Sequence, residues 1–431
     1  MSLAYTTHQV YSYARGVEPP LEDVNTMDLR TRMELLSDAA KLDRDAAGQM
    51  LPIGPGQSVG IRQVRLPRGG MTRLMRVMQT NACSLSCGYC PTFCGGKVKR
   101  ATLAPEEVAR VFSESHRSGV ADGLFLTSGV PGRPERATDR MLAAVEIIRR
   151  RHGFKGYIHL KLLPGSEPAQ VAEAVKLATR VSVNLEAPSD GYVRYLAKEK
   201  LLSTDLLPKL ELVGRLGRAL TQESRPGDIR RTGATTQFMV GAAGERDREI
   251  LGLVARLERD RTLHHAHFSA FQPVVGTPFE HLAATPATRE LRLYQAEHLL
   301  REYGFAFEEL LFAADGNLPL DEDPKTAWAE QHPEVFPLDL ATASRELLLR
   351  VPGLGPTTVT TLLRERRRVV LRDARDLRRL GVDTARAAYF LELRGRRLSP
   401  SPRPRQLRLF AHGQHLTQAP FRTPVPPCAY R

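Results

Sequence analysis

The sequence predicts an α/β protein whose parallel sheet is built from successive strand-and-helix units, followed by a small all-α unit and a disordered tail. The first observation is an alternation. Strand-like runs at 73–79, 123–128, 157–163, 181–186, 235–240 and 264–271 are separated by amphipathic segments near 105–118, 136–151, 168–179, 205–220, 246–258 and 286–302. Strands joined through helices run parallel, in a sheet that is either open and doubly wound or curled into a barrel. The second is size: 431 residues, 42% of them hydrophobic, suffice for two or three domains with buried cores. The third is charge. The net charge is +14, yet residues 345–431 alone hold 19 basic and 6 acidic side chains, which sets the last fifth apart.

The elements follow in order. Residues 1–70 form a helical lead-in. Helical spacing runs from Asp28 to Ala47 with Thr26 as a candidate cap, and a Gly/Pro-rich link from Leu51 to Gly56 follows. Residues 71–315 carry the six units. Their strands alternate in a telling way: Val181, Val183 and Leu185 share one face, while Ser182, Asn184 and Glu186 share the other. Likewise Ile158, Leu160 and Leu162 oppose His159 and Lys161, and Ala266, Phe268 and Ala270 oppose His265, His267 and Ser269. A filled barrel interior is branched and apolar, so these polar faces line a cavity, or else are covered by a polar loop or lie at a solvated end. Of the three neighbouring histidines only His265 and His267 share a face, which suits substrate hydrogen bonding or packing rather than a metal. Residues 316–344, rich in Pro, Asp and Glu and holding the single tryptophan, Trp328, read as a connector. Residues 345–397 are the small helical unit, and 398–431 the proline-rich tail.

Some classes are excluded. No window approaches 18 consecutive apolar residues, so no membrane span is predicted. The first ten residues lack a basic stretch followed by an apolar one, so a cytoplasmic protein is expected. Four of the five cysteines crowd between Cys83 and Cys94, a pattern of metal binding rather than of a disulfide framework.

That loop reads N-A-C-S-L-S-C-G-Y-C-P-T-F-C from Asn81 and directly follows the first strand of the repeat. Cys83, Cys87 and Cys90 are spaced C-x3-C-x2-C, with Tyr89 before the third. Three thiolates on one loop hold three irons of a four-iron, four-sulfur cluster and leave the fourth iron open. Cys94 extends the run and would instead complete a four-thiolate zinc or closed cluster site. The spacing and its aromatic resemble the radical S-adenosylmethionine superfamily. The resemblance implies a partial (β/α)6 barrel, with a [4Fe-4S] cluster whose open iron binds S-adenosylmethionine. Reductive cleavage then yields a 5′-deoxyadenosyl radical, at the expense of a reductant such as flavodoxin or ferredoxin. It further implies that Tyr89, Ser128 and Gly129 border the methionine moiety, although the usual Gly-Gly-Glu is absent there. Asn184 and Glu186 fall where the ribose is held, and Gly241 opens the stretch beside the adenine. Glu245 in that stretch reads equally as a helix cap. Cys94 remains a candidate hydrogen donor or transient ligand, or a plain thiol.

The basic unit carries L-L-L-R-V-P-G-L-G-P-T-T-V-T-T-L-L-R from Leu347 to Arg364, the pattern of a helix-hairpin-helix. Gly353 and Gly355 let the backbone turn its N–H groups toward a phosphate, and Arg364, Arg366, Arg367 and Arg368 follow. These features point to DNA held by its backbone. In the tail, Q-L-R-L-F from Gln406 to Phe410 resembles the peptide that binds the bacterial sliding clamp. The combination, with D-P-K-T-A-W-A at 323–329, resembles radical S-adenosylmethionine proteins bearing a C-terminal helix-hairpin-helix. That family is linked to DNA modification or repair and to a uracil-DNA-glycosylase-like partner. The implied function is radical chemistry on a DNA base or lesion. The alternatives are an RNA- or nucleobase-modifying radical enzyme and a non-catalytic iron–sulfur DNA-binding subunit.

Overall fold

A computed structural model describes residues 27–40, 60–65, 71–225, 228–229 and 233–399. Thr26, the link at 51–56, the tail from 400 and its clamp-like pentapeptide lie outside the described residues. Among the described residues the chain divides into two compact units: one holds those up to Glu245 and Leu257–Thr285, the other Arg246–Arg256 and residues 286–399.

In the first unit, helix α1 (Leu29–Ala39) begins at Asp28, whose carboxylate accepts the Thr31 N–H at 3.0 Å, so the cap is Asp28 itself. Strand β1 (Ile61–Arg65) follows, then β2 (Met71–Met78), α2 (Pro105–Arg117), β3 (Gly123–Thr127), α3 (Pro134–Glu146), β4 (Tyr157–Lys161) and α4 (Pro168–Leu177). Next come β5 (Arg180–Ser182), α5 (Asp190–Leu196), α6 (Leu207–Gln222), β6 (Ala234–Val240) and β7 (His265–Ala270); α7 (Asp247–Arg259), between β6 and β7 in sequence, belongs for the most part to the second unit. Pro105, Pro134 and Pro168 stand at the first position of α2, α3 and α4, where a missing N–H costs nothing.

Strand order settles the architecture. The sheet runs β1 to β7 in sequence, and every pair from β2 to β7 is parallel. A doubly wound sheet reverses its order at a switch point. An unbroken order with right-handed crossovers places all helices on one face and curls the sheet around the other. The fold is a partial (β/α)6 barrel. Strand β1, antiparallel to β2, is an addition with no clear sequence signal, because among residues 61–64 only Ile61 is fully buried. Strand β5 is shorter than expected. Glu186 takes a left-handed φ of +66°, which breaks the pleat, and 183–186 stay attached to β6 by bonds such as Val183 N to Thr235 O at 3.1 Å.

The alternation has a structural consequence. Leu124, Leu126, Ile158, Leu160, Val181 and Phe268 are buried on the helix side. On the inner side Arg76, Phe125, His159, Ser182, Thr235 and His267 form one buried layer. Two residues further along each strand stand Met78, Thr127, Lys161, Asn184, Gln237 and Ser269, and all six line a cavity. The polar faces line a cavity, as one of the sequence readings had it.

The second unit contains α8 (Ala287–Tyr303), α9 (Pro324–Gln331), β8 (Leu338–Asp339), α10 (Arg345–Arg350), α11 (Pro356–Glu365), α12 (Ala374–Arg379), α13 (Thr384–Ala387), β9 (Leu391–Leu393) and β10 (Arg396–Arg397). Helix α8 buries Leu293, Ala296 and Leu299 and packs with α9 and α10. The stretch read as a connector therefore contains a helix, capped by Asp323 on Thr326. Trp328 stacks on His332 with centroids 4.1 Å apart and meets Phe305 edge-on. Arg350 lies 3.9 Å from the Phe305 centroid and grips Glu309 with two bonds. The helical unit also carries a three-stranded sheet of order β10-β9-β8, whose two- and three-residue strands are too short to show a period.

Candidate active site at the carboxyl ends of the strands

The cysteine loop leaves β2 and is held from several sides. Arg100 donates to four of its carbonyls: Asn81 and Thr92 through Nη1 at 2.6 and 2.9 Å, Phe93 and Gly96 through Nη2 at 2.8 and 2.9 Å. Glu199 accepts from the Ser86 N–H at 3.1 Å and hydroxyl at 2.9 Å. The turn after β3 clasps the loop through Gly129 N to Thr80 O at 2.7 Å and Ser84 N to Val130 O at 2.8 Å. Only glycine fits there, since a Cβ on residue 129 would stand 2.3 Å from the Ala82 oxygen. The Val130 N–H also points at Cys83 Sγ at 3.5 Å.

The loop faces a cavity of about 240 Å³ above the floor of six strand residues. Cys83, Cys87, Cys90, Tyr89, Ser128, Gly129, Asn184 and Glu186 line it; Gly241 and Cys94 are not among the lining residues. Gly241 instead sits at φ +95° where a side chain would collide with Thr285. Its N–H bonds to the Glu245 carboxylate, which also accepts from Ala243 at 3.3 Å, so Glu245 closes this loop on itself. Among the described residues Cys83, Cys87 and Cys90 are thiols, whereas Cys94 is disulfide-bonded and so is neither the hydrogen donor nor the transient ligand the sequence offered, and no three His, Cys, Asp or Glu side chains form a group able to hold one metal ion.

The electrostatics centre on a lysine with no distinguishing sequence signal. Lys200 Nζ lies 2.7 Å from Glu186 Oε1 and 3.2 Å from the Tyr89 hydroxyl, and both ion-pair side chains are under a tenth exposed. Burial works against its charge, but Cys87 and Glu186 outweigh burial and hold its pKa well above the ordinary lysine range. Burial pushes the Cys83 and Cys87 thiols up, with Lys200 pulling the other way. Tyr89 is likewise raised, by burial and then by Glu186. Asn184 Nδ2 donates to Gln237 Oε1 at 3.2 Å. In the layer below, His159 Nε2 and Ser182 Oγ are 2.9 Å apart. His267 Nδ1 and Nε2 and Thr235 Oγ1 are buried without a hydrogen-bond partner among the described residues, a state that costs about 1–3 kcal/mol per group.

In the second unit a turn at 351–355 joins two helices. Helix α10 ends at Arg350, Val351 and Leu354 are buried, and α11 starts after Gly355. Gly353 has φ +84°, and a Cβ there would be 2.8 Å from the Asp383 oxygen. Lys325 Nζ donates to Leu354 O at 2.6 Å, fixing the turn from within. The arginines differ. Arg364 bonds Glu365 at 2.8 Å, and Arg366 turns inward to the carbonyls of Leu340 and Ala343, while Arg367 and Arg368 are exposed.

No protein-family model and no curated protein matches the chain. Among solved structures, the FeFe-hydrogenase maturase HydG from Carboxydothermus hydrogenoformans aligns over 53% of this chain and 51% of its own, with 12% identity and a TM-score of 0.41. Methylornithine synthase, PylB, aligns over 53% of this chain and 61% of its own, with 14% identity and a TM-score of 0.40. The cobalamin-dependent S-adenosylmethionine radical enzyme OxsB aligns over 73% of this chain and 52% of its own, at 11% identity and a TM-score of 0.31. The chain thus spans about half the length of the HydG and OxsB structures. No helix among the described residues is long and apolar enough to cross a membrane.

Proposed function

We propose that the chain is a radical S-adenosylmethionine enzyme acting on DNA, in base modification or lesion repair. The observation that carries this is the placing of Cys83, Cys87 and Cys90: three thiols of one loop line a single cavity at the carboxyl ends of parallel strands. Three thiolates on one loop can hold three irons of a four-iron, four-sulfur cluster and leave the fourth open. Such a cluster, with S-adenosylmethionine, supplies one-electron chemistry leading to hydrogen abstraction from a bound substrate.

The chain's own residues do the rest. Arg100, Glu199 and the 128–130 turn hold the loop in shape. Burial raises Cys83 and Cys87, so ligation must bring out their thiolate form. Lys200 and Glu186 offer opposite charges on the cavity wall, suited to a zwitterionic amino acid and to ribose hydroxyls. The hairpin and Arg367 and Arg368 supply phosphate contacts. Reaching a base in a cavity requires unstacking it, at a cost of a few kcal/mol, which favours damaged or single-stranded sites. A uracil-DNA-glycosylase-like protein, a flavodoxin- or ferredoxin-type reductant and the sliding clamp belong to the same proposal as partners.

Anaerobic reconstitution tests it. The expected result is about four irons per chain, loss of iron in the Cys83→Ala, Cys87→Ala and Cys90→Ala variants but not in Cys94→Ala, and release of 5′-deoxyadenosine under reduction. Bound zinc, or a cluster dependent on Cys94 that leaves S-adenosylmethionine intact, would end the enzyme reading. Gel shifts at rising salt with DNA and RNA, with and without residues 345–431, test the substrate class.

A further inference from the structure

The stretch that joins α11 to α12, R-R-R-V-V-L-R-D from Arg366 to Asp373, is fixed at its base and bare at its tip. Arg366 turns inward to the carbonyls of Leu340 and Ala343, and the N–H groups of Arg368 and Val369 both bond to Glu365 O at 2.9 Å. At the far end Leu371 is buried and Arg372 N donates to Asp376 Oδ2 at 2.9 Å. Asp373 then caps α12 through the N–H groups of Arg375 and Asp376. The flanking elements are tied to each other as well, since Thr358 Oγ1 on α11 donates to Gly381 O just past α12 at 3.4 Å. Between these anchors Val369 and Val370 are 53% and 55% exposed. The other exposed large apolar side chains among the described residues stand singly in sequence, an ordinary state. An adjacent pair held out on a fixed turn is left for something else to cover.

We propose that Val369 and Val370 form a wedge that enters the minor groove of duplex DNA and unstacks a base step there, with Arg367, Arg368 and Arg372 on the flanking phosphates. This deepens, and rests on, the reading of the chain as a DNA-directed enzyme, adding deformation of the duplex to the holding of its backbone. Charge selects the occupant. The three arginines are exposed, and their guanidinium groups make no ion pair or hydrogen bond among the described residues. The acids close by in sequence are already engaged: Glu365 by Arg364 at 2.8 Å, Asp376 by the Arg372 N–H and by Arg379 at 3.6 Å, and Asp373 by α12. The tip therefore sets cations on both sides of an apolar pair. A duplex offers the complement, phosphates along both edges of a groove with apolar base steps between them. The backbone from Arg368 to Arg372 spans at most about 14 Å and the minor groove is about 6 Å wide, so the arginines reach both strands. Valine is stiff at χ1 and loses little freedom on insertion. A lipid surface would attract the same charges, but such surfaces are held by Trp, Phe or Leu, and the one leucine of this stretch, Leu371, is buried. Unstacking is also the step that any enzyme acting on a base within a duplex must bring about.

Ligase-driven cyclisation tests the wedge. It uses the full-length, anaerobically reconstituted protein and linear duplexes of about 120 base pairs, shorter than the persistence length of about 150 base pairs and so reluctant to close. Wild type should raise the yield of closed circles about tenfold over naked DNA, since an inserted apolar wedge kinks the duplex. Val369→Ser with Val370→Ser should lose at least about four-fifths of that gain while its gel-shift affinity stays within about threefold of wild type, because phosphate contacts supply most of the binding. Val369→Thr with Val370→Thr keeps the shape of the tip, adds hydroxyls and should lose the circles likewise; it decides the matter where the serine variant fails to fold. The wedge is refuted by duplex binding without a gain in circles, or by a wild-type yield in either double variant. It is refuted equally if the valines matter only for sedimentation with phosphatidylserine vesicles. Absence of duplex binding by the wild type removes the DNA reading, and the wedge with it. Circles without 5′-deoxyadenosine release keep the wedge and remove the chemistry.

Discussion

The Lys200–Glu186 pair makes a sharp quantitative test of the site's construction. The two side chains are 8% and 5% exposed, and their charged atoms lie 2.7 Å apart. Replacing Lys200 by Met removes the cation and leaves the Glu186 carboxylate in a buried setting without its charged partner. Breaking a buried pair in this way costs about 3–5 kcal/mol, whereas replacing both partners by neutral groups of similar shape is often close to neutral. For a unit of some 200 residues that loss lowers the melting temperature by roughly 6–20 °C. Lys200→Met should therefore melt far below wild type, and Lys200→Met with Glu186→Gln should recover most of the difference. Circular dichroism melts and reversible urea titrations of the iron-free protein measure both, and the urea slope checks that the transition is unchanged. The whole series belongs at low and high salt, since a pair this buried should show little screening. A single variant within about 1 kcal/mol of wild type, the value for exposed pairs, would refute the picture of a dry pair. So would a double variant no better than the single.

Other perturbations separate loop, hairpin and fold. Arg100→Ala should leave the secondary structure intact by circular dichroism yet at least halve the iron retained after reconstitution, because four carbonyls of the cysteine loop lose one common donor; Arg100→Lys, with no planar fork, should not restore it. Arg367→Ala with Arg368→Ala should weaken DNA binding and reduce the slope of log affinity against log salt by about 1–2. Arg366→Ala should lower the melting temperature instead, since its guanidinium serves Leu340 and Ala343. Burial brings Lys325 down from 10.5 to about 7. The folded chain then holds fewer protons than the unfolded one between those values, so stability should rise with pH across that window, by an amount on the order of a few kcal/mol. Lys325→Met should flatten the rise, as read from urea titrations at pH 7 and pH 10.

What the sequence disclosed was local or periodic. G-L-F-L-T and Y-I-H-L-K announce strands because five residues suffice for a period of two, and the prolines at 105, 134 and 168 mark helix starts through a single missing donor. The placing of Ser182, Asn184 and Glu186 opposite Val181, Val183 and Leu185 revealed a polar interior, since nothing but the pleat is needed to divide them. The cysteine triplet was legible for the same reason: its members are only three and four positions apart. Strand β1 and the sheet of β8, β9 and β10 escaped because their pairing with a neighbouring strand, not a pattern within such short segments, makes them strands.

The polar residues that build the site escaped for a related reason, and it bears on how such sites work. Lys200 meets Tyr89 across 111 positions, Glu199 meets Ser86 across 113, and Arg100 gathers carbonyls of a loop it does not resemble. In A-K-E-K nothing separates Lys200 from Lys198, which stands outside the cavity lining. The separation comes from desolvation: a buried cation survives only where an opposite charge is already in place, and Glu186 is put there by a left-handed turn that also ends β5. One backbone irregularity thus shortens a strand, turns a carboxylate into the cavity and makes the burial of Lys200 tolerable beside Cys87. Substituting residue 186 should consequently disturb the thiol environment as well as the ion pair. Glu186→Gln, which keeps the backbone and removes the charge, should alter the alkylation rate of Cys87 in the iron-free protein relative to wild type, because it frees Lys200 to act on the thiol alone.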